Sequence, residues 1–296
     1  MSSASQLGTV LQVMAGARNG GAETFTTDLF IALHEAGLRQ VVVTRPWPER
    51  VARLREKGLT VIEERLAFAL PPPLGRLRMR QIVARVRPAL CVAYMGRAAR
   101  VAPPGSVGWF GGYYDLKRYR NCRHRVAITP DMRDDMLKRG AVAERLSLIP
   151  TFAALDDEPA LDRQSFGTPE GARIVLCLAR LHPKKGLDRL LEAIAELSGD
   201  VHLWLAGDGE LDKALRAQSV QLGIADRVHF LGWRHDRGAL LRAADVLAVP
   251  SRYEPFGTVV IEGWAAHVPV VAAAAVGPAA TIAAGRTGLV VPIDDA

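Results

Sequence analysis

The sequence predicts an α/β protein built from two Rossmann-like domains, each with a parallel β-sheet covered by helices. Short runs of β-branched and other apolar residues alternate with amphipathic segments along the chain, and this alternation is typical of βαβ units. The length of 296 residues is enough for two domains of ordinary size. No apolar run approaches the ~20 residues that a membrane-spanning helix needs.

The first domain is predicted to comprise residues 1–150. Its strands are predicted at residues 10–14, 40–44, 60–62, 89–94, 107–110 and 126–129. Its helices are predicted at residues 22–36, 49–57, 77–87 and 132–139, where apolar side chains recur at helical spacing. Pro71, Pro72 and Pro73 are expected to end one element and to set a rigid approach to the third helix.

The second domain is predicted to comprise residues 172–296. Its strands are predicted at residues 173–178, 201–206, 228–231, 246–250 and 268–272. Its helices are predicted at residues 187–197, 210–222, 237–243 and 258–266. Residues 151–171 have no clean period and contain acidic residues, proline and glycine, so they are predicted to link the domains.

The charge is divided unevenly between the two halves. Residues 1–150 contain 24 Lys and Arg against 12 Asp and Glu, whereas residues 151–296 contain 14 against 19. The excess in the first half indicates an anionic partner. We expect no nucleic acid because no recognition module is present. An anionic membrane surface or a phosphorylated acceptor fits the charge better. The alternative is that the arginines are ordinary surface residues without an anionic partner molecule.

The cysteines indicate the compartment. The sequence has three, at Cys91, Cys122 and Cys177, without C-x2-C spacing. This pattern argues against a disulfide framework or a zinc site and favours a reducing compartment. The N-terminus has no basic segment typical of a secretory signal. We therefore expect a cytoplasmic protein, with peripheral attachment to the inner face of the membrane as an open alternative.

Two glutamates eight residues apart mark the strongest candidate site. Glu254 lies in the loop after the apolar run 244–250, and Glu262 lies on the helix that begins near Gly257. Parallel sheets bind ligands at the carboxyl ends of their strands, where helix N-termini present free N–H groups. Each glutamate also has a structural alternative to a binding role. Glu254 could be an acidic residue that only stabilises the helix N-terminus through its dipole, and Glu262 could be a purely structural carboxylate.

Three further motifs accompany the glutamates. A basic loop from Arg180 to Lys185 follows the predicted strand 173–178, and the turn Gly207-Asp208-Gly209 follows the strand 201–206. The sequence Gly20-Gly21-Ala22-Glu23 lies near the N-terminus. Together, these motifs resemble those of the retaining nucleotide-sugar glycosyltransferases of the GT-B fold. The resemblance covers almost the whole chain and is strongest over residues 173–293.

The resemblance implies two Rossmann-like domains facing a cleft, with the second domain holding the donor. It assigns a catalytic place beside the transferred sugar to Glu254 and hydrogen bonding to the ribose to Glu262. The donor diphosphate is expected at Arg180, Lys185, Gly21, Gly257 and Thr258, and the nucleotide pocket at Gly207 and Leu231. Fixed cations stabilise the diphosphate as its bond to the sugar breaks. Each of these binding roles has an alternative. Arg180 and Lys185 are then loop charges exposed to solvent, and Gly207 only allows a tight turn between a strand and a helix.

The implied activity is transfer of a hexosyl group from a nucleotide-diphosphate sugar to a cell-envelope glycan or a lipid-linked acceptor, as in lipopolysaccharide biosynthesis. No cofactor is expected, and the nucleotide base is unknown. No Asp-x-Asp occurs, so the resemblance implies a reaction without metal. The alternative is a non-catalytic relative that binds nucleotide or glycan. An oxidoreductase is disfavoured because no G-x-G-x-x-G follows the first strand.

Three departures from the family favour that alternative. Gly111 stands where many relatives have a histidine, and only Gly277 remains of a Gly-Gly-x-x-Glu pattern. The chain stops at Ala296, where the family has further helices, so a truncated donor domain is expected.

Two surfaces of the first domain are candidates for the acceptor side. Tyr113, Tyr114, Lys117 and Arg118 form an aromatic and basic cluster that suits an acceptor sugar or phosphate, or is simply a surface loop. The predicted helix 77–87 is basic and amphipathic. Such a helix lies on an anionic membrane or covers the sheet with its charged face outward, and we favour the second interpretation.

Overall fold

The computed structural model describes residues 8–65, 72–197 and 199–295 and shows an α/β protein. The chain divides into two compact units between Thr151 and Phe152. Each described unit contains one sheet in which every strand pair is parallel. The predicted α/β fold with two parallel sheets is therefore confirmed.

The described part of the first unit has seven strands in the order β3-β2-β1-β4-β5-β6-β7. The strands are β1 Val10–Met14, β2 Gln40–Thr44, β3 Thr60–Glu63, β4 Leu90–Tyr94, β5 Ser106–Trp109, β6 Cys122–Ala127 and β7 Leu146–Leu148. The helices are α1 Gly21–Glu35, α2 Pro48–Glu56, α3 Pro72–Val86, α4 Met95–Val101 and α5 Pro130–Lys138. The central strand β1 is buried along its whole length, as expected when helices cover both faces.

Three predictions in this unit were wrong. Strand β6 begins at Cys122 rather than residue 126, because Arg123 and Arg125 interrupt the apolar pattern. Helix α3 begins at Pro72, where proline is tolerated because the first helical N–H has no acceptor anyway. The short elements α4 and β7 were not predicted. Pro71, the first residue of the proline triplet, lies outside the described residues, so the predicted role of the triplet stays a prediction.

The described part of the second unit has six strands in the order β10-β9-β8-β11-β12-β13. The strands are β8 Arg173–Leu178, β9 Val201–Ala206, β10 Val228–Gly232, β11 Val246–Val249, β12 Val270–Ala273 and β13 Leu289–Val291. The helices are α6 Leu187–Glu196, α7 Asp212–Gln221, α8 Arg237–Ala243, α9 Thr258–Ala265 and α10 Val276–Thr281. Strand β13 and helix α10 were not predicted.

The segment 151–171, which we expected to join the domains, lies against the second unit. Leu155, Leu161 and Phe166 pack on its core. The Phe166 ring meets the fully buried Trp204 edge to face, with centroids 5.0 Å apart. The Trp204 Nε1 donates to Thr168 Oγ1 over 2.8 Å. These contacts fix the segment by burial and by hydrogen bonding.

Helix α3 buries one face and exposes the other. Met79 and Ile82 are buried, whereas Leu74 and Leu77 are 47% and 49% exposed. The buried pair shows that this helix packs on the protein with an apolar face, as in an amphipathic helix, and helix α4 is a neighbour that it contacts. Because Leu74 and Leu77 are exposed, docking of this helix on a membrane surface stays a prediction. In the part of the chain that the structure describes, no helix has the length and apolar character needed to cross a membrane.

Two histidines on neighbouring strands predict a pH-dependent stability. His202 Nδ1 on β9 lies 2.9 Å from His229 Nε2 on β10. Burial lowers the pKa of both rings below 6.5. The charge of Arg227 lowers the pKa of His202 further, and His202 itself lowers that of His229. The unfolded chain therefore binds more protons as the pH falls through 6.5. The stability that this pair contributes is present above that pH and is lost below it.

We expect the melting temperature of the second unit to fall by about 2 °C or more between pH ~7.5 and pH ~5.5 because of this pair. Thermal unfolding of H229Q measures the effect, since glutamine retains a hydrogen-bonding group but does not titrate. H235Q, at an exposed histidine of the same unit, is the control. Equal pH dependence in the wild type and H229Q would contradict the prediction.

Candidate active site

Four loops meet at the carboxyl edge of the second sheet. They follow β9, β8, β11 and β12, which are consecutive neighbours in the sheet. The loops after β8 and β11 carry most of the predicted donor-site residues. Because the carboxyl ends of parallel strands lie at one edge, the fold places these residues together within the second unit.

Close backbone contacts hold the loops against one another. A Cβ atom on Gly207 would lie 1.8 Å from the carbonyl oxygen of Ala179, and one on Gly186 would lie 2.1 Å from that of Pro250. Gly186 also has a φ of 62°, which favours glycine. Gly207 was predicted to line the nucleotide pocket, and the structure gives it a packing role. Its place in a pocket stays a prediction.

Arg252 joins the loop after β11 to the start of α6. Its Nη1 and Nη2 donate to the Asp188 carboxylate over 2.8 and 2.6 Å, and Nη1 donates to the Pro183 carbonyl over 2.9 Å. The hydrogen bonds from Arg252 lower the pKa of Asp188. Sequence reasoning missed this role, although Arg252 lies within the Glu254 motif. The bidentate pair fixes the basic loop relative to that motif.

Lys185 and Glu254 form an ion pair between the two loops. The Lys185 Nζ lies 2.6 Å from Glu254 Oε2. The Glu254 carbonyl accepts a hydrogen bond of 2.8 Å from the Gly277 N–H at the start of α10. Helix α9 begins after Gly257, whose φ is 84°. The carboxylate of Glu254 is thus held by Lys185, and no hydrogen bond from it caps α9 in the described residues.

Arg180 differs from the other charged residues of this edge. Its side chain is exposed, and within the described residues it forms no ion pair or hydrogen bond. An arginine in this state presents a complete guanidinium to solvent. It is therefore available to a phosphate group without first breaking an ion pair.

Glu262 is buried and already paired. Its carboxylate Oε1 lies 3.0 Å from Arg237 Nε, and the two side chains are only 10% and 14% exposed. Arg237 also donates to the Ala154 carbonyl over 2.6 Å. Burial of Glu262 therefore does not require a ribose, which stays a prediction. The sequence analysis did not identify Arg237. Its position was a signal, because a positive charge at the start of a helix is unfavourable next to the helix dipole and therefore indicates a specific acidic partner.

The other predicted residues of the second unit lie nearby with separate surroundings. Thr258 is the first residue of α9 and is half-buried. Leu231 lies on β10 and packs partly against the core. Gly277 comes so close to Phe256 that a Cβ would lie 2.5 Å from its backbone. In the sequence, Gly277 is what remains of the Gly-Gly-x-x-Glu pattern. In the structure, its close contact with Phe256 leaves no room for a side chain.

The predicted residues of the first unit lie at the carboxyl edge of its sheet. Gly21 begins α1, and a Cβ on it would meet no atom within 4 Å. The Glu23 carboxylate accepts from the Ala17 N–H over 2.8 Å and so holds the preceding loop. A Cβ on Gly111 would lie 2.5 Å from the Trp109 ring. A histidine at this position would therefore force a rearrangement.

The aromatic and basic cluster of the first unit is only partly assembled. The Tyr113 hydroxyl donates to Asp131, and burial together with this bond raises the pKa of Tyr113. The Tyr114 ring lies 6.3 Å from that of Phe110. Lys117 is the second residue of the short helical turn Leu116–Tyr119, and its backbone N–H donates to the capping Asp115 side chain. Arg118 packs on α4 instead, where its Cδ lies 3.1 Å from the position that a Cβ of Gly96 would take.

Comparison with known proteins supports one family. Residues 160–296 match the family described as "Glycosyl transferases group 1". The chain is 33% identical to the Rhizobium meliloti lipopolysaccharide core biosynthesis glycosyltransferase LpsE, over 94% of this chain and 83% of that protein. It is 32% identical to LpsD of the same organism, over 88% and 76%.

Solved structures agree on the fold. Anabaena HepE, solved in complex with UDP-glucose, has a TM-score of 0.83 and 23% identity, covering 96% of this chain and 85% of that one. WaaG, a glycosyltransferase involved in lipopolysaccharide biosynthesis, has a TM-score of 0.71 and 19% identity, covering 96% and 86%. At this identity the similarity shows the fold alone. The similarity to LpsE over most of both sequences, together with the domain match, shows that the chain belongs to the group 1 glycosyltransferase family.

Proposed function

We propose that the protein is a retaining glycosyltransferase that moves a hexosyl group from a nucleotide-diphosphate sugar to a cell-envelope glycan or lipid-linked acceptor. The names of LpsE and LpsD support a reaction of lipopolysaccharide core synthesis. The complex of HepE with UDP-glucose supports a UDP-sugar as the donor. We place the reaction in the cytoplasm because the described cysteines are all free thiols, which a reducing compartment maintains.

The observation that carries this proposal is the exposed Arg180 on the same loop as Lys185, which is paired with Glu254. A diphosphate between these cations would gain charge-assisted hydrogen bonds. Its negative charge grows as the sugar leaves, so the cations stabilise the transition state more than the ground state. This effect lowers the barrier.

The proposed step needs no metal and no strong side-chain base. The acceptor hydroxyl oxygen forms a bond to the anomeric carbon, on the face from which the diphosphate departs. The bond from that carbon to the β-phosphate oxygen breaks. The hydroxyl proton passes to the departing diphosphate, so atoms and charges balance. Glu254 carries its negative charge beside the sugar, where positive charge develops.

Titration calorimetry with UDP, in the presence of EDTA, tests the donor site. We expect R180A to weaken UDP binding by about 10–100-fold, because a hydrogen bond to a charged group contributes about 1.5–3 kcal/mol. K213A, which removes an exposed cation from α7, is the control and should bind as the wild type does. Equal affinity of R180A and the wild type would refute the donor assignment, and a requirement for Mg²⁺ would refute the metal-free step.

A non-catalytic relative is the second candidate. The packing of Gly111 on Trp109, where many relatives have a histidine, is the observation that favours it. Release of UDP from UDP-sugars, measured together with UDP binding, distinguishes the two. Tight UDP binding without turnover of any UDP-sugar in the presence of lipopolysaccharide core acceptors would favour this candidate.

A further inference from the structure

The imidazole of His182 caps the short turn that carries Lys185. This turn comprises Pro183–Lys185 and lies in the loop after β8. The Lys184 N–H donates to His182 Nδ1 over 3.1 Å, and the Lys185 N–H donates to the His182 carbonyl over 2.8 Å. His182 therefore accepts from two consecutive N–H groups of the turn, one through its side chain and one through its backbone, and so fixes how the turn begins.

The capped turn joins the loops after β9 and β11. The Leu181 N–H, just before His182, donates to the Asp208 carbonyl over 2.8 Å. The Tyr253 N–H donates to the Lys184 carbonyl over 3.1 Å, and the Lys184 Nζ lies 4.7 Å above the Tyr253 ring. Because Lys185 is the last residue of the same turn, the cap helps to decide where its ammonium group is held.

The hydrogen bond to Nδ1 requires a neutral imidazole. A ring nitrogen that accepts a hydrogen bond carries no proton, so the proton of the neutral ring lies on Nε2. Protonation adds an N–H at Nδ1, which then faces the Lys184 N–H, and the cap is lost. The Nε2 atom lies 3.8 Å from Glu210 Oε1, in the loop after β9. The charged ring thus has an acidic partner, whereas the Lys184 N–H loses its acceptor.

Histidine is the side chain whose charge ordinarily changes between pH 5 and 8. The other charged groups on the turn and on the segments packed against it are lysines, an arginine and carboxylates, at Lys184, Lys185, Asp188, Asp208, Glu210 and Arg252. Arg252 donates to the Asp188 carboxylate over 2.8 and 2.6 Å and lowers its pKa. This pair therefore keeps its charges while His182 takes up a proton.

We propose that His182 is a positioning residue of the donor site, and that its neutral imidazole holds Lys185 where a nucleoside diphosphate binds. When the ring is protonated, binding must also order the turn, and this cost in free energy weakens the affinity for the donor. The affinity therefore falls on acidification. Because the diphosphate is the ligand assigned to this edge, the role of His182 rests on the proposed function.

Calorimetric titration of the full chain with UDP, at pH ~7.5 and pH ~5.5, tests this role with two substitutions. H182N provides a side-chain oxygen that caps well and does not titrate, whereas H182A removes the acceptor. At the higher pH we expect H182N to bind UDP within about twofold of the wild type and H182A to bind about fivefold more weakly. At the lower pH we expect the wild type to bind as weakly as H182A, with H182N about fivefold tighter than both.

H267N is the matched control and should follow the wild type at both pH values. His267 is exposed after α9 with a φ of 60°, a conformation that asparagine tolerates. Protonation of UDP and of the other histidines affects every variant, so it cancels in the comparison with H182N. Equal affinities of the wild type and H182A at pH ~7.5, or equal losses for the wild type and H182N on acidification, would overturn the role of His182. If R180A also binds UDP as the wild type does, the donor assignment fails with it. If R180A alone weakens binding, the donor assignment stands and only the role of His182 is wrong.

Discussion

Replacing Glu254 with glutamine should lower the rate of sugar transfer by about 10²–10³-fold while changing UDP affinity by less than about threefold. Glutamine keeps the size of the side chain and a hydrogen-bonding oxygen, but it removes the negative charge that lies 2.6 Å from Lys185. A charged group placed where charge develops in the transition state has an effect of this size. The ground state, in which the sugar is still neutral, changes much less.

The measurement is the initial rate of UDP release from the nucleotide sugar that the wild type uses, with UDP affinity determined in parallel. E196Q, at an exposed residue on the last turn of α6, should match the wild type in both. A variant E254Q that loses affinity as strongly as it loses rate would show that Glu254 acts by orienting Lys185. In that case its catalytic assignment would be wrong.

The sequence predicted the architecture well wherever an element was long and apolar. Strands β1 and β9 are buried along nearly all their length, and their apolar runs left little choice of structure. The elements missed were those with weak patterns. Strands β7 and β13 have three residues each, and strand β6 alternates arginines with apolar residues. A short run cannot be distinguished from a loop by periodicity.

The sequence also predicted which loops lie together at one edge of the second sheet, but it did not reveal the side-chain partners within them. Motif positions follow from the order of strands, so the loops after β8 and β11 were placed at one edge in advance. Pairing across the fold is different. Arg252 and Asp188 are 64 residues apart, and Arg237 reaches Ala154 across 83. Nothing in local spacing encodes such contacts, because they arise only when the loops pack together.

The pairing of Glu262 with Arg237 leads to the largest expected effect on stability. R237M should destabilise the second unit by about 3–5 kcal/mol, since it removes the partner of a glutamate whose side chain is 10% exposed and breaks the hydrogen bond to Ala154. R234M is the matched control. Arg234 pairs with Asp236, but their side chains are 29% and 26% exposed, so about 1 kcal/mol or less is expected.

The unfolding transition of the second unit in chemical denaturant measures these differences. The double variant R237M/E262Q distinguishes a structural role of Glu262 from a role in binding the ribose. Glutamine is neutral, so the double variant should regain most of the stability that R237M loses. Failure to regain it would show that Arg237 acts mainly through Ala154. Stability that returns while UDP affinity stays low would support the ribose-binding role of Glu262. Stability and UDP affinity that return together would make Glu262 a structural residue, and the ribose would then need another partner.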